Sequence, residues 1–233
     1  MNFTRPADVD PVKIINAIEK FQVTTMFGSP ALINRVGRYG EAKNIKLPSL
    51  KRAISAGAPV PAAVLERFAN MLAEPAQVFT PYGATEALPV SMMSGSEILA
   101  ETARQSDQGR GMCVGRSTAG NTIRIIRIVD NPIPEWDESL VLPDGTVGEI
   151  VVKGPVVTRA YLHRPEQTAA AKIFEGDVVW HRMGDLGYIG PQGRLWFCGR
   201  IKHRVETENR LMLPVQCEAF FNHHSDVART AVV

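Results

Sequence analysis

Apolar positions in the first hundred residues switch between two spacings, and the switches outline a series of short elements. Val12, Ile15 and Ile18 fall at helical spacing after Asp10-Pro11, a pair suited to a helix N-terminus, so a helix is predicted over 11–20. The run 21–27 is rich in Val and Thr and predicts a strand, and Gly28-Ser29-Pro30 leads into a second helix over 30–39. A short apolar strand at 50–55 precedes a helix at 61–72, whose inner side carries Val64, Leu65, Phe68, Met71 and Leu72. A strand at 77–80 then ends at the turn that carries Tyr82. Strands alternating with helices predict a parallel sheet, so the first half is α/β.

Beyond about Cys113 the helical period is lost. Strand-like runs at 122–129, 149–153 and 194–198 are punctuated by Pro132, Pro134, Pro143-Asp144-Gly145 and Pro191-Gln192-Gly193, all turn chemistry. The run 147–152 after Asp144-Gly145 reads as the return strand of a hairpin. This half is predicted to be a small β-barrel or sandwich. Past Arg200, Ile201-Lys202-His203-Arg204 is polar, and no internal repeat or low-complexity tract is found.

Composition narrows the class without naming a chemistry. At 233 residues and 45% hydrophobic content the chain can bury a sizeable core, in one large domain or two small ones. Lys plus Arg at 26 against Asp plus Glu at 24 gives +2, which makes no electrostatic case for a nucleic acid or a membrane surface as partner. The longest apolar stretches, such as 123–129 with Arg124 and Arg127 inside, fall far short of the roughly 18 residues a membrane span needs, so no transmembrane segment is expected. Met1 to Asp8 lacks the apolar centre of a secretory signal, and the expected location is cytoplasmic. Cys113, Cys198 and Cys217 show no metal or redox spacing and are expected as reduced thiols. His223-His224 has no companion ligands at metal spacing.

Four segments carry candidate chemistry. In Tyr82-Gly83-Ala84-Thr85-Glu86 the tyrosine offers a ring face to a base and Gly83 lets a ligand approach the backbone. Thr85 can bond an α-phosphate, and Glu86 can hold Mg²⁺ directly or through water. A strand ending in Pro-Tyr-Gly also suits an ordinary turn, with Thr85-Glu86 as a cap. In Trp180-His181-Arg182-Met183-Gly184-Asp185-Leu186 the two oxygens of Asp185 suit the adjacent hydroxyls of a ribose. Arg200, which closes Gly193-Arg194-Leu195-Trp196-Phe197-Cys198-Gly199-Arg200, would donate to the same sugar. Taken singly, Asp185 reads as part of a hairpin and Arg200 as a surface charge. Ser55-Ala56-Gly57-Ala58-Pro59 is small enough for an adenine to lie against its backbone, and equally good as a helix entry.

These segments, in this order and at these spacings, resemble the adenylate-forming superfamily: acyl-CoA synthetases, peptide-synthetase adenylation domains and luciferases. The resemblance implies ATP or AMP and Mg²⁺ as the bound groups, with Thr85 and Glu86 catalytic and Glu86 the metal ligand. It assigns nucleotide contacts to Gly57, Ala58 and Pro59, to Tyr82, Gly83 and Ala84, and to Asp185 and Arg200. It also implies a hinge at Lys202, where aspartate is usual and lysine also occurs. The segments 148–154 and 161–168 match the family as scaffold, with Ala160 in place of a glycine. The chain then corresponds to the second half of a large N-terminal domain and the start of a small one. The expected parts are 1–112 as the αβ sheet part, 113–199 as a β-barrel-like subdomain, and 200–233 as hinge and truncated C-terminal domain. The family's phosphate loop and distal lysine fall outside this span, and the glycine-rich 109–117 lacks P-loop spacing and reads as a turn into the barrel. The chain is therefore expected to be a fragment, inactive alone.

Within the family, 193–200 followed by His203-Arg204-Val205 looks like the branch containing olefin β-lactone synthetases, whose members often carry the label long-chain fatty acid CoA ligase. That implies ATP-dependent activation of a fatty or β-hydroxy fatty acid as its adenylate, then closure to a β-lactone. Glu206, Asn209, Leu213 and Pro214-Val215-Gln216-Cys217-Glu218 depart from the segment that helps build the CoA surface of ordinary ligases, which puts CoA in doubt. A long-chain fatty acyl-CoA ligase is the alternative, as is a non-catalytic nucleotide-binding module. Other enzymes of lipid or olefin biosynthesis are the expected partners.

Overall fold

The computed structural model describes residues 9–208, 210–222, 224, 226, 227 and 230–232. The expectations attached to Met1 through Asp8, to Asn209 and to His223 lie outside the described residues. Two compact units are present, Met1–Pro81 with Met93–Ala103, and Tyr82–Met92 with Arg104–Val233.

The first unit is built of βα steps. Helix α1, Pro11–Phe21, starts where expected because the Asp10 carboxylate accepts from Val12 N at 2.9 Å and Pro11 needs no partner there. It runs on to a left-handed Gln22 (φ 48°), so Phe21 and Gln22 close the helix and strand β1 is only Thr25–Gly28. Helix α2, Pro30–Ala42, is capped by the Ser29 hydroxyl. Strand β2, Arg52–Ser55, helix α3, Ala62–Ala69, and strand β3, Gln77–Ala84, follow. β1 pairs parallel with β2 and β2 with β3, the parallel sheet that the alternation predicts. Ile33, Val36, Leu65, Phe68 and Met71 are buried in its core. A side chain at Gly40 of α2 would meet the end of the flexible Met71 side chain, which would have to move aside.

The second unit is antiparallel. Its strands are β4, Ala87–Ser94, of which Met92 is the last residue in this unit, β5, Met112–Ser117, β6, Thr122–Ile126, and β7, Gly148–Lys153. β8, Lys172–Glu175, β9, Val178–Ile189, and β10, Leu195–Arg200, complete it. The order is β4-β5-β10-β9-β7-β6, with β8 on β9. Among the described residues no ladder joins β6 back to β4, but an antiparallel bridge, Ala87 to Val157, and the bonds from Thr118 N and Asn121 Nδ2 to the β4 carbonyls of Val90 and Pro89 tie the two ends of this sheet. β7 is buried on both faces: Ile150 and Val152 belong to one apolar cluster and Val151 to another. That is why 150–152 reads as a continuous apolar run instead of an alternating one. Each such side chain contributes about 1.5–3 kcal/mol of burial.

Two expectations shift here. β7 does pair with β6, but over a long connection that contains a 3-10 turn, Glu138–Leu140, and not as a tight hairpin. Helical structure also returns, at Pro165–Ala171 and Pro214–Asn222, helices too short to impose a visible period. Of the glycine-rich 109–117 only the start turns, with Gly109 and Gly111 at φ 79° and 95°, and 112–117 is β5 itself.

Candidate functional site

Tyr82 ends the apolar run of β3, and from it the chain turns at Thr85-Glu86 into β4. The turn therefore falls three residues later than the sequence suggests, and Tyr82-Gly83 is extended strand. The space that a Gly83 side chain would need is taken by the Ala87 carbonyl and Leu88, so the hairpin itself requires a glycine there.

Three predicted residues meet around one carboxylate. Asp185 of β9 and Arg200 of β10 are cross-strand partners, and the Tyr82 hydroxyl donates to Asp185 Oδ2 at 2.5 Å. Arg200 Nη1 lies 2.8 Å from Oδ1, but as an ion pair off the line of a directed hydrogen bond. Oδ1 thus keeps acceptor capacity although the Asp185 side chain is only 3% exposed. Burial raises the Asp185 carboxyl above its ordinary value, while Tyr82 and Arg200 pull it down. Burial and the Asp185 charge together hold the Tyr82 hydroxyl firmly protonated. Its ring is tilted against Phe197, with centroids 6.0 Å apart. A carboxylate with a spare oxygen beside a half-exposed guanidinium is a natural acceptor and donor pair for vicinal hydroxyls.

A second cluster gathers at Glu86. The Tyr161 hydroxyl donates to Glu86 Oε1 at 2.6 Å and holds its carboxyl below the usual value. Thr158 N donates to the Glu86 carbonyl at 2.8 Å. Lys172 of β8, 1% exposed, donates from Nζ to Thr158 Oγ1 at 3.2 Å and sits 5.9 Å from the Tyr161 ring centroid. Burial lowers its pKa to about 8, which leaves it charged at neutral pH. His181, opposite Lys172 in the β8–β9 register, is buried and lowered to about 4, first by burial and then by Lys172. Its Nδ1 lies 3.1 Å from the Ala171 carbonyl, which can only accept, so Nδ1 carries the proton of a neutral ring. Among the described residues no group of three or more His, Cys, Asp or Glu is placed to hold a metal, so Glu86 would supply one carboxylate. That suits Mg²⁺, which keeps waters and phosphate oxygens as its other ligands.

Thr85 is exposed at the tip of the hairpin. In the first unit, Gly57, Ala58 and Pro59 form an exposed loop after β2, with Gly57 at φ 98° and nothing within 4 Å of where a side chain would start. Lys202 lies in a 3-10 turn after β10 and shares with Gly184 and Arg200 a groove of about 580 Å³. Arg182, within the Asp185 motif, is committed elsewhere. It grips buried Glu149 at 2.6 Å and caps the carbonyls of Val129, Asn131 and Ala170.

Tyr161, Thr158, Lys172 and His181 escaped the sequence reading. Tyr161 stood among the scaffold residues, and nothing local marks Lys172, whose partners Tyr161 and Thr158 lie 11 and 14 positions back in the chain. The one available signal was a lysine directly preceding the apolar pair Ile173-Phe174 in a strand-like context.

The chain is 48% identical over 238 residues to the olefin beta-lactone synthetase of Stenotrophomonas maltophilia, and 47% to that of Xanthomonas campestris pv. campestris. Both matches span 100% of this chain and 42% of those proteins. A 4-chlorobenzoate–CoA ligase of Arthrobacter is 29% identical, over 96% of this chain and 38% of that protein. Among solved structures, the amide bond synthetase McbA of Marinactinospora thermotolerans superposes with a TM-score of 0.74 at 25% identity, covering 96% of this chain and 41% of that one. The O-succinylbenzoate Coenzyme A synthetase of Bacillus subtilis, solved with ATP and magnesium ion, shares the fold with a TM-score of 0.73 at 21% identity, over 96% and 41% of the two chains. Among the described residues no helix is long and apolar enough to cross a membrane. The family described as AMP-binding enzyme matches residues 1–162, which include the Glu86 hairpin and its partner Tyr161, and the chain belongs to that family.

Proposed function

We propose that this chain is the nucleotide-binding part of an ATP-dependent, AMP-forming enzyme that activates a fatty or β-hydroxy fatty acid and closes the β-hydroxy acid to a β-lactone. The observation that carries the nucleotide reading is the meeting of Tyr82, Asp185 and Arg200, with Asp185 Oδ1 buried and still able to accept. On this reading Asp185 and Arg200 hold the ribose, and Tyr82 positions Asp185 while its ring faces the base. Gly57, Ala58 and Pro59 flank the adenine, Gly83 and Ala84 line its approach, and Thr85 donates to the α-phosphate. Glu86 would hold Mg²⁺, which neutralises phosphate charge when bound.

In the first step a substrate carboxylate oxygen attacks the α-phosphorus of ATP, the bond to the β-phosphate oxygen breaks, and pyrophosphate leaves. In the second, the substrate's β-hydroxyl oxygen attacks the activated carbonyl carbon, AMP leaves with the electron pair, and the hydroxyl proton passes to solvent. No thiol enters. The lactone outcome draws support from the 48% identity to an olefin beta-lactone synthetase, against 29% to a CoA ligase.

The chain spans about 42% of the length of those synthetases. Residues 1–112 and 113–199 would form the later part of a large domain and 200–233 the start of a small one, with Lys202 as hinge. Other enzymes of lipid or olefin biosynthesis would be its partners.

Mass spectrometry of the full-length enzyme with ATP, Mg²⁺, a long-chain β-hydroxy acid and CoA tests the reading. A product equal to the acid minus water, formed equally without CoA, is expected. A CoA thioester formed only with CoA would make it a fatty acyl-CoA ligase, and no AMP release would overturn both.

A further inference from the structure

Lys172 is the most unusual charge in the second unit. It is 1% exposed, and among the described residues no carboxylate oxygen lies within 4.0 Å of its Nζ. A buried ammonium is normally paired, because taking a charge out of water costs several kcal/mol. Of its three donors, one is used, on the Thr158 hydroxyl. Yet both of the groups it lies against hold Glu86. Thr158 grips the Glu86 carbonyl through its backbone N–H, and Tyr161, whose ring faces the ammonium, grips the carboxylate. The facing histidine, His181, turns Nδ1 to the Ala171 carbonyl, and the ammonium of Lys172 stands behind the two groups that hold Glu86.

We infer that Lys172 is a positioning residue of the Glu86 site, an internal counter-charge that holds Glu86 through Tyr161 and Thr158 and weakens its affinity for a free divalent cation. The inference rests on the reading of Glu86 as the metal ligand. Its consequence is order of loading: a bare cation gains little at Glu86, whereas one that arrives on a polyphosphate brings its own anionic ligands.

The test is Mn²⁺ binding to the purified full-length enzyme without nucleotide, followed by electron paramagnetic resonance, beside a thermal melt of each variant. Lys172→Met is expected to bind Mn²⁺ about three- to tenfold more tightly than wild type, the scale of one partly buried charge removed at several ångströms, and Lys172→Arg to match wild type. Should the Met variant fail to fold, Lys172→Gln removes the same charge and keeps an amide for Thr158. Unchanged or weaker Mn²⁺ binding in the folded neutral variant overturns the inference and leaves the Glu86 reading standing. Glu86→Gln is expected to lower Mn²⁺ affinity; if it does not, the metal reading of Glu86 itself fails, and the role of Lys172 with it.

Discussion

The Tyr82 hydroxyl and Asp185 Oδ2, 103 positions apart in the chain, are joined at 2.5 Å. Two segments that the sequence offers separately thus form one unit, in which Tyr82 fixes the carboxylate's orientation. Tyr82→Phe leaves Oδ2 buried without its donor, and a loss of about 1–3 kcal/mol in unfolding free energy is expected. Asp185→Ala is expected to weaken nucleotide binding by a similar amount, about 1–3 kcal/mol, measured by calorimetry on the full-length enzyme. Wild-type affinity in Asp185→Ala would show that the ribose lies elsewhere.

Arg182 and Glu149 form a second pair, and here the expected consequence is stability. Both side chains are nearly inaccessible, and burial raises the Glu149 carboxyl even against the Arg182 charge. Arg182→Ala strands a buried carboxylate and three backbone carbonyls, so a loss of about 3–5 kcal/mol is expected in denaturant unfolding. Arg182→Lys cannot reproduce the fork and should recover little of it. A change under 1 kcal/mol would show that the pair contributes nothing net.

His181 predicts a pH dependence. Its folded pKa of about 4 lies below the ordinary 6.5, so the folded state favours the neutral ring. The stability this contributes is whole above about pH 6.5 and is lost as pH falls towards 4, to a total of roughly 3 kcal/mol. Melting temperature followed from pH 7 to 4 should fall, and the fall should flatten in His181→Asn, whose amide can stand in for Nδ1–H. An equal slope in the two proteins would remove His181 as the cause.

Glu86 titrates in the opposite sense to a stranded carboxylate. The Tyr161 hydroxyl holds its carboxyl down, so its contribution is present above the ordinary value of 4.5 and lost as pH falls through the lowered one. Tyr161→Phe should move the Glu86 titration upward, read by carboxyl-carbon resonance, while the helix Pro165–Ala171 stays intact. A titration unmoved by the substitution would show that Tyr161 does not govern Glu86.

Much of this was legible beforehand where the signal is local. α1 and α2 start at Asp10-Pro11 and Ser29-Pro30 because a cap and a proline act within one turn. Asp185 and Arg200 stood out by motif, and they do face one another. What stayed hidden depends on pairing between distant strands. β9 runs for 12 residues through a segment rich in charge and glycine, because its register partners on β7, β8 and β10 decide it. Lys172 could not be foreseen as buried, since its hydroxyl partner and the ring beside it come from the loop that precedes the helix Pro165–Ala171, on the far side of that helix in sequence.

The β9–β10 ladder slips by one residue between Phe197, which faces Gly187, and Gly199, which faces Leu186. Were Cys198 paired in the ladder instead of bulged out of it, Gly199 would stand opposite Asp185 and Arg200 opposite Gly184. The spelling of this strand therefore matters less than its count. One residue inserted between Gly199 and Arg200 would preserve every named functional side chain and still carry Arg200 past Asp185.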